Sequence, residues 1–153
     1  MEALSAQFEL LPASHEDAEA LVEIRIAAMR ESLERIGRFD PQRARDRFLA
    51  GFDPAQTRKI MVAAQWLGFI SLRVSDDMLT LEHLYLVPQA QGRGTGSAVM
   101  AWVIAQSEAL QRPLRVGALR ESASNRFYLK HGFKRVGESE WDIYYQRDPA
   151  APE

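Results

Sequence analysis

Short apolar runs and longer stretches of helical spacing alternate along the chain and predict its elements. Runs bounded by turn residues are typical of strands, and they lie at 8–12, 57–64, 66–75, 79–87, 114–119, 133–136 and 141–147. Apolar residues at helical spacing predict helices that begin near Ser14, Asp40, Thr95 and Ser122, and Ser122 is the expected cap of the last helix. Asp40 followed by Pro41 is a strong helix start, because aspartate caps free N–H groups and proline fits the first turn.

The order of these elements predicts an α/β fold with a mixed sheet. The connections between the three strands of 57–87 are short enough for hairpins, so these strands should form an antiparallel meander. A helix joins 79–87 to 114–119, and strands joined in this way lie parallel with a right-handed crossover. We expect a single domain over 1–153, with 148–153 as a frayed tail.

Composition narrows the class of protein. Of the 153 residues, 46% are hydrophobic and 26% charged, with a net charge of −2 and no basic block, so we expect no nucleic-acid partner. The absence of cysteine excludes disulfides, cysteine nucleophiles and thiolate metal sites, and we expect no metal. No apolar run approaches the ~20 residues of a membrane span, and the N-terminus lacks the order of a signal peptide. We therefore expect a cytoplasmic enzyme or binding module with no membrane partner.

Three glycines lie close together between the strand at 79–87 and the helix that follows it: Gly92, Gly94 and Gly96. Glycine lets backbone N–H groups turn inward, and free N–H groups at a helix N-terminus bind anions. We therefore expect this loop to hold the pyrophosphate of a cofactor. A flexible turn without a ligand is the plainer alternative. A dinucleotide fingerprint needs a parallel βαβ unit, and a P-loop needs a Lys-Ser or Lys-Thr pair, so neither fits.

Two segments carry a resemblance to a known family: the loop Gln91-Gly92-Arg93-Gly94-Thr95-Gly96 and 127–133, which reads FYLKHGF. They resemble the Q/R-x-x-G-x-G/A and F-Y-x-x-x-G-F motifs of the GCN5-related N-acetyltransferase (GNAT) superfamily. The resemblance covers Phe8 to Arg147. It implies a mixed, mostly antiparallel sheet of six to seven strands with four helices, splayed between the fourth and fifth strands. It also implies an acyltransferase that moves an acetyl group from acetyl-CoA to a primary amine by direct attack in a ternary complex.

The resemblance implies how the cofactor would be held. The backbone of Leu84, Tyr85 and Leu86 would pair with the pantetheine arm as an added strand. A backbone N–H near Leu86 would polarise the thioester carbonyl. Arg93 would add a charge to the backbone N–H groups that bind the pyrophosphate. The pyrophosphate loop would comprise Gln91, Gly92, Arg93, Gly94, Thr95, Gly96 and Ser97.

Tyr128 is the expected acid for the leaving thiolate, because it precedes Gly132 by four residues, as the family's tyrosine does. A core tyrosine with a satisfied hydroxyl is the alternative. Glu82 is the expected base, since a partly buried carboxylate in mid-strand would have a raised pKa. An ion pair with an arginine is the alternative for Glu82. His83, expected on the opposite face of the strand, ranks second, and a water is the remaining option.

Two further groups are expected around the site. The family's asparagine contact to the pantetheine arm is missing, so Ser122 or Asn125 would replace it. In this fold the first two helices and the last hairpin usually wall the acceptor site, which indicates Met29, Arg30, Phe39 and Trp141. Arg30 and Arg38 would suit a carboxylate on the acceptor.

Several alternatives stay open at this point. The acceptor could be a small-molecule amine, an amino acid, or a peptide or protein amine. The competing class is a catalytically silent acyl-CoA sensor or protein-interaction module on the same fold. Many members of the family dimerise, so a homodimer is also open.

Overall fold

The computed structural model describes residues 7–151, so 152–153 of the expected tail lie outside it. Its strands are β1 Glu9–Pro12, β2 Thr57–Val62, β3 Gln65–Val74, β4 Leu79–Leu86, β5 Leu114–Leu119, β6 Lys134–Glu138 and β7 Asp142–Arg147. Its helices are α1 Ala18–Arg35, α2 Pro41–Gly51, α3 Thr95–Leu110 and α4 Ser124–Lys130, with short 3-10 turns at His15–Asp17, Pro54–Gln56 and Pro88–Ala90. The element order predicted from the sequence is confirmed.

The strands form one seven-stranded sheet in the order β1-β2-β3-β4-β5-β7-β6. The pairs β1–β2, β2–β3, β5–β7 and β6–β7 are antiparallel, whereas β4 and β5 are parallel. The parallel ladder runs only from Leu79 opposite Leu114 to Leu81 opposite Val116, although both strands continue. The predicted mixed sheet with a splay between the fourth and fifth strands is therefore confirmed.

Local sequence explains most helix ends. The Asp40 carboxylate accepts a hydrogen bond from Arg43 N at 3.1 Å, so the predicted cap of α2 is present. Gly132 has a φ of +90°, which suits a glycine just after α4. The expected cap at Ser122 is wrong, because α4 begins at Ser124 and Ser122 Oγ donates instead to the carbonyl oxygen of Leu119 at 2.7 Å.

The described residues fall into two compact units. The first unit comprises 7–71 and His83–Ala98, and the second comprises Leu72–Glu82 and 99–151. The core of the first unit is built by Leu21, Val22, Ile24, Phe48 and Phe69. The buried residues of the second unit include Leu79, Val103, Leu114, Val116, Phe133 and Tyr145. The single domain over 1–153 stays a prediction.

A search of the described helices for a membrane span gives a negative result. None of the helices in 7–151 combines the length and the apolar character that crossing a bilayer requires.

Candidate active site

The glycine loop has the backbone of an anion site. Gly92 and Gly94 have φ values of +78° and +84°, a region that side-chain-bearing residues rarely adopt. Both residues are exposed, and α3 begins directly after them at Thr95. The first hydrogen bond of the helix runs from Ala98 N to Gly94 O at 3.0 Å. The N–H groups of Thr95 and Gly96 come before Ala98, so they have no acceptor within the helix. This geometry fits a bound phosphate group.

Gln91 ties the loop to the end of β4. Its Nε2 donates to the carbonyl oxygen of Leu86 at 3.0 Å. Val87 N, the next backbone donor, is bonded to Leu67 O at 2.9 Å. Arg93 is exposed and forms no ion pair with any described residue, so its guanidinium is available to a phosphate. The sequence indicated Gln91 as part of the motif and of the pyrophosphate loop. The structure adds a hydrogen bond from its side chain to the end of β4.

Tyr128 lies on α4 and is 8% exposed. Its ring packs against those of Phe127, Phe133 and Tyr145, with centroids 5.6, 5.5 and 6.0 Å away. These contacts fix the side chain within the second unit. The packing is compatible with both expectations for Tyr128, a fixed proton donor and a core tyrosine.

Glu82 has an ion-pair partner. Its side chain is 30% exposed, so it is partly buried, and Arg73 Nη1 lies 3.1 Å from its Oε2. This cation reaches Glu82 from the neighbouring strand β3. The alternative of an ion pair is present, and the role of Glu82 as a base stays a prediction.

His83 is packed among aromatic rings of the first unit. The rings of Phe48, Phe69 and Tyr85 lie 5.3, 5.8 and 5.6 Å from it, between centroids. Burial, and then the charge of Arg25, lower the pKa of His83 to about 4. A group that resists protonation so strongly is a weak base near neutral pH, and a role of His83 as a base stays a prediction.

Ser122 and Asn125 are already engaged within the second unit. Asn125 Nδ2 donates to Leu119 O at 2.9 Å, and Asn125 Oδ1 accepts from Tyr145 OH at 2.7 Å. Ser122 Oγ also donates to Leu119 O. A contact from either side chain to a pantetheine arm stays a prediction, and for Asn125 Nδ2, which also donates to Ser122 O at 3.0 Å, it would require one of these bonds to be broken.

The expected acceptor residues lie in different units. In the first unit, Arg30 Nε is 2.9 Å from Glu34 Oε2, and its guanidinium lies 4.8 Å from the ring centroid of Phe39. Met29 is partly buried there. In the second unit, Trp141 is 37% exposed. Because Glu34 already pairs with Arg30, an acceptor carboxylate would have to compete for that guanidinium.

Within 7–151, no group of three or more histidine, aspartate or glutamate side chains is arranged to hold a metal ion.

Comparison with known proteins places the chain in a family. A family model described as "Acetyltransferase (GNAT) domain" matches residues 56–135, which is more than half of the chain. The protein therefore belongs to the GNAT family of acetyltransferases, and the resemblance inferred from its motifs is confirmed. No curated protein matches the sequence at a significant level.

Solved structures share the fold at low sequence identity. The PaiA N-acetyltransferase from Thermoplasma acidophilum, in complex with coenzyme A, has a TM-score of 0.71 at 18% identity, over 93% of this chain and 99% of that one. The ribosomal-protein-S18-alanine N-acetyltransferase from Escherichia coli has a TM-score of 0.71 at 15% identity, over 96% of this chain and 97% of that one. A putative phosphinothricin N-acetyltransferase has a TM-score of 0.70 at 17% identity, over 95% of this chain and 100% of that one.

Proposed function

We propose that the protein is an N-acetyltransferase that uses acetyl-CoA as the donor and a primary amine as the acceptor. The observation that carries the proposal is the glycine loop of a GNAT-family chain, with left-handed Gly92 and Gly94 directly before α3. Coenzyme A in the PaiA structure is consistent with the same ligand here. The two other relatives act, by name, on a protein alanine and on phosphinothricin, so the fold alone leaves the acceptor open.

The first unit would bind the donor, whose chemical contribution is an activated acetyl thioester. The N–H groups of the loop and Arg93 hold the pyrophosphate, and the backbone of 84–86 pairs with the amides of the arm. Gln91 keeps Leu86 O in place, which orients the backbone at the end of β4. A backbone N–H near Leu86 stabilises the negative charge that develops on the acetyl oxygen, an interaction that is typically worth about 100-fold or more in rate.

The second unit would handle protons. Glu82 accepts a proton from the amine, directly or through a water, and Tyr128 donates one to the departing thiolate. No covalent link to the enzyme is needed, because the amine attacks the acetyl carbon directly and the chain contains no cysteine.

A binding module without catalysis is the second candidate, and one observation favours it. Glu82 is paired with Arg73, and Tyr128 is packed in a ring cluster, so both proposed proton carriers also have structural partners. Tyr128→Phe separates the two candidates. The proposal predicts a loss in kcat of about 100-fold with unchanged affinity for acetyl-CoA, whereas a module would show no amine-dependent turnover in either form.

Donor binding has its own matched test. Gly92→Glu places a carboxylate in the loop. Gly37→Glu is the control, because Gly37 has a φ of +72°, close to the +78° of Gly92. A Cβ atom added at either glycine meets nothing within 4 Å. We expect Gly92→Glu to weaken acetyl-CoA binding by about tenfold or more, measured by calorimetry, because like charges repel. Gly37→Glu should bind normally, and equal binding by both variants would overturn the loop assignment.

A further inference from the structure

Two unpartnered polar atoms lie in one part of the first unit, and the proposed roles do not use them. Among the buried side-chain nitrogen and oxygen atoms of residues 7–151, only Arg25 Nε and His83 Nδ1 have no hydrogen-bond partner. Both side chains meet Tyr85: the Arg25 guanidinium lies 6.0 Å from its ring centroid, and the His83 ring lies 5.6 Å from it. Folded proteins rarely leave such atoms unsatisfied, and a missing ligand is one explanation.

Arg25 presents one complete edge of its guanidinium. Nη1 donates to Ala44 O at 3.3 Å, and no described residue accepts a hydrogen bond from Nε or Nη2. No carboxylate in the described part of the chain pairs with this cation. The Nε–Nη2 edge is the planar, two-donor arrangement that binds a carboxylate through both of its oxygens.

His83 can complete such a site. Because burial and Arg25 hold the pKa of His83 at about 4, its imidazole is neutral near pH 7 and carries one N–H donor. With the proton on Nδ1, this nitrogen donates to an oxygen bound beside it. A cation with a neutral donor beside it supplies one positive charge, which a single carboxylate balances.

The location connects this pair to the proposed chemistry. His83 precedes Leu86 by three residues on β4, a separation of about 10 Å along an extended strand. Tyr85, which both side chains meet, is the direct neighbour of Leu86. Arg25 therefore adjoins the strand that carries His83 and whose backbone would polarise the thioester.

We propose that the free guanidinium edge of Arg25, together with His83 Nδ1, binds a carboxylate of the acceptor. The acceptor class is then a small amine that carries a carboxylate, such as a free amino acid, and not a protein chain or an uncharged amine. This inference rests on the proposed acetyl transfer and names its acceptor. Arg30 and Arg38 were the arginines that the sequence indicated for this role, and Arg30 already pairs with Glu34.

The test compares acids with amides. The free proteinogenic amino acids and the same amino acids as C-terminal amides are offered to the wild-type protein with acetyl-CoA, and thiol release is followed. We expect kcat/KM for the best acid to exceed that for its amide by roughly 10- to 100-fold, the range of a charged hydrogen-bonded pair. Equal use of acids and amides would overturn the inference and leave the acetyl transfer intact.

Variants locate the effect. Arg25→Gln should remove the preference for the acid through KM, and Arg25→Lys should restore it only in part because lysine lacks the planar edge. Arg47→Gln is the control, since Arg47 lies exposed on α2 and has no partner among the described residues. An acid preference that survives in Arg25→Gln would contradict the assignment.

A binding readout separates this inference from the proposed function. The melting temperature of the protein without acetyl-CoA is measured with each acid and each amide at equal concentration. The inference predicts that an acid raises the melting temperature, that its amide does not, and that the effect is absent in Arg25→Gln. This result supports the carboxylate site even if no acetyl transfer is found. The absence of any acid-specific stabilisation, together with no acid preference in turnover, overturns it.

Discussion

A Cβ atom at Gly68 would lie 2.1 Å from the carbonyl oxygen of Tyr85 and 2.8 Å from Leu86 Cδ2. Real Cβ atoms do not approach backbone so closely, so β4 can run past Gly68 in this way only because Gly68 has no side chain. Trp66 Nε1 donates to Gly68 O at 2.8 Å and holds that segment of β3. Gly68 therefore sets the position of the backbone that we propose to bind the pantetheine arm.

Gly68→Ala should consequently impair donor binding. The methyl group must push the backbone of Tyr85 and Leu86 away, and such overpacking typically costs about 1–3 kcal/mol. We expect acetyl-CoA affinity to fall by about tenfold or more, measured by calorimetry below the melting temperature of the variant. Gly51→Ala is the control, because a Cβ there meets nothing within 4 Å. Normal affinity in folded Gly68→Ala would contradict the role of this backbone.

Glu82→Gln tests the proposed base. Glutamine keeps the size of the side chain but cannot accept the proton of the amine, so kcat should fall by about 100-fold while acetyl-CoA affinity stays unchanged. Arg73→Met removes the cation 3.1 Å from Glu82 and should leave turnover measurable, because the carboxylate remains. If Glu82→Gln turns over at the wild-type rate, Glu82 serves only as the ion-pair partner of Arg73.

His83 predicts a pH dependence of stability. Its pKa is lowered from 6.5 to about 4 in the folded protein. Between pH 6.5 and pH 4, His83 is therefore protonated in the unfolded chain but neutral in the native state. The free energy of unfolding should therefore fall as the pH drops from 6.5 towards 4, by at most about 3 kcal/mol. Urea unfolding at several pH values measures this slope, and His83→Gln should flatten it.

Other titrating groups have to be separated from His83. The pKa of His131 is also lowered, by burial and by Lys130, and it acts in the same direction, so His131→Gln is measured in parallel. Hydrogen bonds from Arg147 and from the backbone of Ala150 lower the pKa of Glu108, and its stabilisation is lost only below its ordinary 4.5. A slope between pH 6.5 and 5 that is unchanged in His83→Gln would contradict the buried neutral histidine.

The amide of Asn125 predicts a coupled network in the second unit. It joins Leu119 O, at the end of β5, to Tyr145 OH on β7. Asn125→Ala should lower the free energy of unfolding by about 1–3 kcal/mol, because it leaves the Tyr145 hydroxyl without its acceptor and Leu119 O with only its bonds from Ser122. Tyr145→Phe should be non-additive with it in a double-mutant cycle measured by urea unfolding.

The same variant tests the alternative role of Asn125. Normal acetyl-CoA affinity in Asn125→Ala assigns the side chain to the network alone. A loss of affinity with unchanged stability would instead support the expected contact to the pantetheine arm.

Sequence patterns predicted the elements well because their determinants are local. The Asp40–Pro41 start of α2 and the glycine after α4 depend on neighbouring residues only. Ser122 failed as a cap for the same reason, since a nearby carbonyl, Leu119 O, competes for its hydroxyl. Strand β5 was predicted at its observed bounds, Leu114–Leu119.

The side-chain environments could not be predicted in the same way. The ion pair of Glu82 stayed one of two alternatives, because a strand pattern does not show that Arg73 reaches the carboxylate from β3. Arg25 and His83 are far apart in sequence and meet at Tyr85 only after folding. The available signal was weak: an arginine in α1 directly after the buried residue Ile24 and three residues after the buried residue Val22.

The tail shows a similar limit. The sequence predicted that 148–153 would fray, as the last residues of a domain commonly do. In the described part, Ala150 N donates to Glu108 Oε1 at 2.9 Å, and Arg147 Nη1 lies 2.9 Å from Glu108 Oε2. A carboxylate on α3 thus holds the backbone near the end of the described chain, an interaction that only the fold reveals.

Amine-dependent thiol release from acetyl-CoA tests the central claim most directly. The chain has no cysteine, so a thiol-reactive dye reports only the released coenzyme A. We predict release that depends on the amine, matches the acetylated product by mass spectrometry, and drops about 100-fold in Tyr128→Phe. Tight binding of acetyl-CoA without amine-dependent release over a panel of amino acids, small amines and peptides would contradict the proposed enzyme and support a binding module.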